Sequence, residues 1–169
     1  DLEIYVINEL PAGRITIKTA HFDQKNIQKA YAIVNQSLKR GRQAYIIYPV
    51  IEESRALDIA GAKKMFAELK SGEFKDFRLG VIHSQLKTKE QDEVMLKFKN
   101  KELDLLVSTT ILEVGIDIAN ATSMIIVFAE RFGLSQLHQL RGRIGRGGFA
   151  SFCMLISDCQ TQEADSRMK

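Results

Sequence analysis

The residues with the clearest chemical potential run Gln136-Leu137-His138-Gln139-Leu140-Arg141-Gly142-Arg143-Ile144-Gly145-Arg146-Gly147. Continued as one helix, at about 100° per residue, Gln136, Gln139, Arg143 and Arg146 share a narrow stripe. Leu137, Leu140 and Ile144 fall on the adjoining face and can pack on a neighbouring layer. Two guanidiniums held from one support suit phosphate, because the planar fork of each matches two phosphate oxygens at once. Gly142 and Gly145 would each cost about 1 kcal/mol relative to Ala in a helix interior. Placed beside arginine, they suggest that something approaches the backbone closely. A basic surface helix with a glycine-rich end would also satisfy this pattern.

A second candidate is Val107-Ser108-Thr109-Thr110-Ile111-Leu112-Glu113-Val114-Gly115-Ile116-Asp117. Small hydroxyl residues at a strand end can donate to phosphate from side chain and backbone. An Asp on the following loop can accept from a ribose hydroxyl. The plain alternative is a strand, a Ser/Thr turn and a Gly turn. A third candidate, His83-Ser84, follows a short apolar run. A lone His at a strand end is equally compatible with a structural role. The lysines at 87, 89, 97, 99 and 101 describe a solvated helix.

The elements that must position these groups alternate between β-rich and helical stretches. Strands are expected at Arg14–Ala20, Ala44–Tyr48, Leu79–Ile82, Leu103–Val107, Ser123–Phe128 and Ser151–Ile156. Asp23 can cap a helix with Ile27, Tyr31, Val34 and Leu38 inward, ending at Gly41 after Lys39 and Arg40. Ser54 starts a helix carrying Leu57, Met65 and Leu69, stopped near Gly72. Thr88 and Gln91 carry a capping-box signature for a helix with Val94, Met95 and Phe98 inward. A helix over Leu134–Arg143 separates the last two strands. Such alternation implies an α/β fold with a mostly parallel central sheet and helices on both faces. In such a sheet, ligands gather beyond the carboxyl ends of the strands. His83-Ser84, Ser108–Thr110 and the Glu130–Leu134 segment all have that expected placement.

Length and composition bound the rest. With 169 residues, 45% of them apolar, there is material for one domain with a substantial core. No apolar run is long enough to span a bilayer. A net charge of +3 permits nucleic-acid binding without demanding it. Cys153 and Cys159 have neither metal-site nor redox spacing. Cys153 sits in an apolar run and reads as a buried thiol, so a reducing, cytoplasmic location is expected. Residue 1 is Asp, with no charged-then-apolar leader after it, which suggests a piece of a longer protein. Residues 1–13 are expected to be an inter-lobe linker or a truncated edge, 14–160 the domain, and 161–169 the start of a truncated extension.

Gln139-Leu140-Arg141-Gly142-Arg143-Ile144-Gly145-Arg146 resembles motif VI of superfamily 2 helicases, of the form Q-x-x-G-R-x-G-R. Thr110 to Asp117 resembles their motif V, T-x-x-x-x-G-I-D, at the family distance before motif VI. Ala44 to Ile51 resembles motif IV. The resemblance runs nearly the full chain and implies the second, C-terminal RecA-like lobe, a three-layer fold. Within the superfamily, Arg42-Gln43-Ala44-Tyr45 followed by Pro49-Val50-Ile51-Glu52-Glu53-Ser54 is similar to the RecG family. Glu130 to Gln139 is similar to both RecG and the transcription-repair coupling factor Mfd. Two departures stand out. Ser84 occupies a place where many relatives have Gly, and Ala119 one where RecG and Mfd usually have Pro.

The resemblance implies that Arg143 and Arg146 are arginine fingers on the γ-phosphate of ATP. It further implies that Gly115, Asp117 and Gln139 belong to the nucleotide side. Thr110, Thr109, Ser108, His83 and Ser84 would meet the nucleic-acid backbone. No Walker A pattern is present: Lys18 follows Gly13 by only five residues and no second Gly precedes it. No apolar strand ends in a paired Asp-Glu. ATP and Mg²⁺ would therefore be held mainly by a preceding RecA-like lobe, and this chain alone would be inactive. The expected partners are that lobe and branched or forked DNA, with no membrane. A Mfd-like translocase lobe and a non-catalytic nucleic-acid-binding module are the competing readings.

Overall fold

The computed structural model describes residues 3–6, 17–49, 55–109 and 118–158. Its centre is a seven-stranded sheet. The strands are β1 (Glu3–Val6), β2 (Ile17–Phe22), β3 (Gln43–Ile47), β4 (Leu79–Ile82), β5 (Leu105–Ser108), β6 (Ala121–Ile126) and β7 (Ser151–Ile156). Their order across the sheet is β1-β2-β7-β6-β3-β5-β4. β2 to β7 are all parallel, and β1 adds antiparallel to β2 with Glu3 opposite His21. Four helices connect them: α1 (Ile27–Lys39), α2 (Arg55–Ser71), α3 (Thr88–Lys99) and α4 (Leu134–Arg141).

Why the helices fall on two faces follows from the strand order. The chain steps from β2 through β3 to β4 in one direction across the sheet, then back through β5, β6 and β7 in the other. Crossovers of one hand must change face when the direction reverses. Accordingly α1 and α2 contribute Ile27, Ala30, Val34 and Leu69 to a core with Ala44, Ile46 and Val107. On the other face α3 and α4 contribute Met95, Phe98, Leu137 and Leu140 to a core with Tyr45, Ile47 and Leu106. All five residues of β3 are buried, which a strand covered on both faces requires. Each such Ile or Leu contributes about 1.5–3 kcal/mol by leaving water.

Most expected elements are present, with instructive departures. Glu3–Val6, in the segment read as a linker or a truncated edge, form an edge strand, because β2 offers an unpaired ladder there. In α2, Ile59, Ala62 and Leu69 are buried while Leu57 is 76% exposed. The apolar face of that helix runs through Ile59, Ala62 and Leu69, with Met65 and Phe66 partly buried against the core, and Leu57 lies off it. α3 begins at Thr88 but its N-cap is Lys87, without a side-chain cap. Gln91 instead donates to the carbonyls of Leu86 (3.0 Å) and His83 (3.4 Å), so the capping box is replaced by a tie to the preceding loop. Asp23 does cap, accepting from the Asn26 backbone N–H at 3.0 Å across one 3-10 turn before α1. Among the described residues no helix is long and apolar enough to cross a membrane.

Cys153 lies on β7 beneath α4, 1% exposed, and burial pushes its thiol up to about 12. A thiolate is the reactive form, so the native thiol should be inert. In a Cys159→Ser background, labelling of Cys153 at pH 8 should proceed only at the rate of global unfolding. Stoichiometric labelling of the native fold within minutes would contradict this packing.

Candidate functional site

Three segments were expected beyond the carboxyl ends of the strands, and their described residues lie there: His83-Ser84 after β4, Ser108-Thr109 at the end of β5, and Glu130–Leu134 after β6. His83 follows β4 and Thr109 follows β5, adjacent strands whose ends pair Ile82 with Ser108. One further ladder bond continues past several strands at this edge. Thr109 N donates to the Ile82 carbonyl (3.0 Å), Tyr48 N to Ser108 (2.8 Å) and Val127 N to Ile47 (2.9 Å). The edge is therefore rigid up to its last residue. Ser108 is fully buried, Thr109 and His83 are nearly so, and Ser84 is exposed. The Thr109 Oγ1 and His83 Nδ1 atoms are buried and have no hydrogen-bond partner among the described residues. Each such atom costs on the order of 1–3 kcal/mol unless something binds it.

Electrostatics at this edge favour a neutral His83. Burial lowers its pKa first, the charge of Lys63 on α2 lowers it further, and Glu90 on α3 opposes both. Lys63 was not singled out from the sequence. It is 20 residues from His83, and only the return of α2 over the sheet brings its charge near. Beside it, Arg131 pairs with the largely buried Asp58 at 3.4 Å and lies 4.6 Å over the Phe128 ring. Phe128 meets Tyr48 edge-on at 5.6 Å. This stack ties α2 to the end of β6. It also holds Phe128 at φ 52°, a left-handed conformation that a bulky side chain adopts only under constraint.

Arg143 and Arg146 lie at the opposite edge. α4 ends at Arg141 with Gly142 as its C-cap, so the expected helix to Arg143 stops short and the single stripe does not form. Gln136 is used within the helix, its side-chain oxygen accepting from Gly133 N at 3.0 Å, while Gln139 is exposed on α4. After Gly142 the chain makes a turn in which Gly145 has φ +77° and Gly148 φ +79°. A Cβ on Gly145 would stand 2.9 Å from the Ile17 side chain at the start of β2. One on Gly147 would collide with the Ala119 carbonyl just before β6. Of the two glycines expected to allow a close approach, Gly145 meets the protein's own amino edge at Ile17, while Gly142 faces only the carbonyls of Gln139 and His138 in its own helix; Gly147 adds a second close contact. Arg143 is half-buried on this turn. Arg146 is exposed, and its Nε donates to the Gly142 carbonyl at 2.8 Å. A six-residue strand spans roughly 20 Å, which sets the scale of separation between the two edges.

Thr110, Gly115 and Asp117 lie outside the described residues. The residues that flank the segment, Thr109 and Ile118, sit at the carboxyl and amino edges respectively. The amino edge holds a further cluster that sequence alone did not reveal, built on Asn120, Arg42 and Phe149. Among the described residues no group of three or more His, Cys, Asp and Glu could hold a metal. The donor set at the amino edge is cationic, suited to phosphate oxygens rather than to a divalent cation.

The family model described as helicase conserved C-terminal domain matches residues 25–148, from the start of α1 to the end of the glycine turn. The chain belongs to this family of helicase C-terminal domains. Within it, the lobe is of RecG type. It is 44% identical over 168 residues to the ATP-dependent DNA helicase RecG of Synechocystis sp., covering 99% of this chain and 20% of that protein. It is also 44% identical over 169 residues to RecG of Thermotoga maritima, covering 100% of this chain and 22% of that protein. A solved structure of RecG bound to a three-way DNA junction superposes with a TM-score of 0.80. It shares 41% identity over 95% of this chain and 21% of that one. The chain thus spans about a fifth of the length of these relatives.

The lowered pKa of His83 has a sign that can be checked. The unfolded chain takes up a proton near the ordinary value of 6.5, which the folded chain refuses until lower pH. His83 therefore contributes stability above pH 6.5 that is lost as pH falls through its native value. An NMR titration of the His83 ring should give a midpoint below 6.5, and His83→Asn should flatten part of the fall in Tm between pH 7 and 5. A midpoint above 6.5 would mean that the site is open and anionic instead.

Proposed function

We propose that this lobe is the second motor half of an ATP-dependent DNA helicase that works on branched or forked DNA in recombination and repair. It would operate beside a preceding RecA-like lobe that holds Mg²⁺ and most of the nucleotide. The names of its relatives, ATP-dependent DNA helicases, support the activity, and the junction-bound RecG supports the substrate class. One geometric observation carries the reading. The guanidiniums of motif VI and the orphaned polar atoms after β4 and β5 lie at opposite edges of one rigid sheet. A lobe that must face ATP on one side and a nucleic-acid track on another has use for such a division.

Each group then has a role. Arg143 and Arg146 leave their turn toward the γ-phosphate and neutralise charge as it develops there. Gln139, Gly115 and Asp117 line the nucleotide side. Ser84 and Thr110 meet the sugar-phosphate backbone, with His83, Thr109 and Ser108 forming the floor behind them. These contacts read backbone rather than bases, so they suit a motor that must pass any sequence. Closure on ATP and reopening after hydrolysis would carry the whole lobe along DNA as a unit.

In the full-length protein, Arg143→Ala and Arg146→Ala should each lower DNA-stimulated kcat by roughly 10³ or more, the usual worth of an arginine finger. Arg146 is exposed, so its loss should shift the Tm of the isolated lobe by less than about 2 °C. Near-normal turnover together with a large loss of stability would assign both arginines to structure.

A further inference from the structure

A half-exposed phenylalanine two residues before β7 needs a reason. Phe149 is 39% exposed, yet the Arg42 guanidinium carbon lies over its ring, 3.5 Å from the centroid. Arg42 Nη1 in turn donates to the Asn120 side-chain oxygen at 3.0 Å. Asn120 is only 8% exposed and is fixed on every side. Its side-chain nitrogen donates to the Gly41 carbonyl (2.9 Å) and to the Gln43 side-chain oxygen (3.2 Å), and its carbonyl accepts from Gln43 N (3.0 Å). Gln43, itself buried in β3, donates to the carbonyls of Phe98 and Leu103. The chain of contacts runs from the centre of the sheet outward and ends on Phe149.

Phe149 closes the glycine turn that carries Arg146. That turn touches the body of the lobe at Gly145 against Ile17, at Gly147 against Ala119, and at Phe149 against Arg42. The first two contacts admit no side chain on the turn and so hold it close without gripping it. Ser151 adds one hydrogen bond to the Phe149 carbonyl at 2.9 Å, at the far end. Ile144, 1% exposed in the core with Leu137 and Leu140, holds the start of this glycine-rich segment, and the guanidinium–ring stack holds its end. A cation this close to a ring face is attracted by it, and Arg42 is held in place by Asn120 before the ring arrives.

We infer that Phe149 and Arg42 are positioning residues for Arg146, with Asn120 as their anchor. The inference rests on the arginine-finger reading above and adds to it. Without the stack the part of the turn after the anchored Ile144, which includes Gly145, Gly147 and Gly148, loses its hold at the far end. Arg146 then spends only part of its time where the developing charge on phosphate will be. Misplacing a catalytic group by about an ångström can cost on the order of a hundredfold in rate. Ground-state affinity for ATP need not change, because the finger acts mainly on the transition state.

The experiment is steady-state ATP hydrolysis by the full-length protein on forked DNA, comparing Phe149→Ala, Phe149→Tyr, Arg42→Gln and Arg146→Ala. We expect Phe149→Ala to lower kcat between about tenfold and a hundredfold, with KM for ATP changed less than about threefold. Phe149→Tyr keeps the ring and should restore kcat. Arg42→Gln keeps a donor for Asn120 but no stack, and should match Phe149→Ala, with the double variant no worse than either. If Phe149→Ala fails to fold, Arg42→Gln alone carries the test. Normal kcat in Arg42→Gln while Arg146→Ala is inactive would overturn the positioning role and leave the finger intact. Normal kcat in Arg146→Ala would remove the finger reading, and the positioning role with it.

Discussion

A parallel sheet cannot join two neighbouring strands by a tight turn. Every connection must carry the chain from the carboxyl edge back to the amino edge. In this lobe that constraint decides where chemistry can be placed. The residues after β4 and β5 are met at the start of a crossover, so His83, Ser84 and Thr109 stand at the carboxyl edge. The arginines of motif VI are met at the end of one, after α4 has recrossed the sheet, so they stand at the amino edge beside Ile17, Ala119 and Ser151. The two sites are kept apart by the length of a strand. No loop needs to be long to achieve it.

At the amino edge the decisive feature is a change of backbone hand. Gly145 at φ +77° ends any continuation of α4, and a side chain there would strike Ile17. The turn takes Arg146 off the line of α4, and its Nε returns to the Gly142 carbonyl at the helix end. An arginine carried on such a turn keeps its place only if the turn is stiff. Glycine makes the turn possible and also makes it loose. The stack of Arg42 on Phe149 answers that looseness from outside the turn, through Asn120 and the buried Gln43.

The sequence showed the β-rich, helix-alternating order because strands buried on both faces read as continuous apolar runs, as in Ala44–Ile47 and Ser151–Ile156. Their parallel pairing followed from the helices between them. Less legible was anything that depends on a partner distant in the chain. Glu3–Val6 were read as linker or truncated edge although Ile4, Tyr5 and Val6 are strand-favouring types; four residues are too short a run to decide, and pairing with the edge of β2 does. Leu57 is a large apolar residue at a plausible helical position, yet α2 packs through Ile59 and Ala62 and leaves it in water. Gln91 matched a capping box by spacing, but the His83 and Leu86 carbonyls lay closer to its amide. The motif VI residues could be named from the sequence. Their geometry could not, since periodicity extends a helix through Gly142 and Gly145, and only packing against Ile17 shows that it stops. Asn120 was invisible for the same reason: its partners are 77 to 79 residues away.

What joins the two edges is the sheet itself. β3, β5 and β6 are buried along their whole length, and their side chains fill both cores. Interiors packed to this density do not deform gradually. A contact made by Arg146 at the amino edge therefore cannot reach the carboxyl edge as a local distortion of β5 or β6. It can reach it as a rotation of the whole lobe, which moves Ser84 and Thr109 by an amount set by their distance from the pivot. On the proposed reading, the lobe's rigidity is part of its mechanism. The cation–ring grip at Phe149 ties the turn of Arg146 to the same rigid body that carries the carboxyl edge, through Arg42, Asn120 and the β3 residue Gln43.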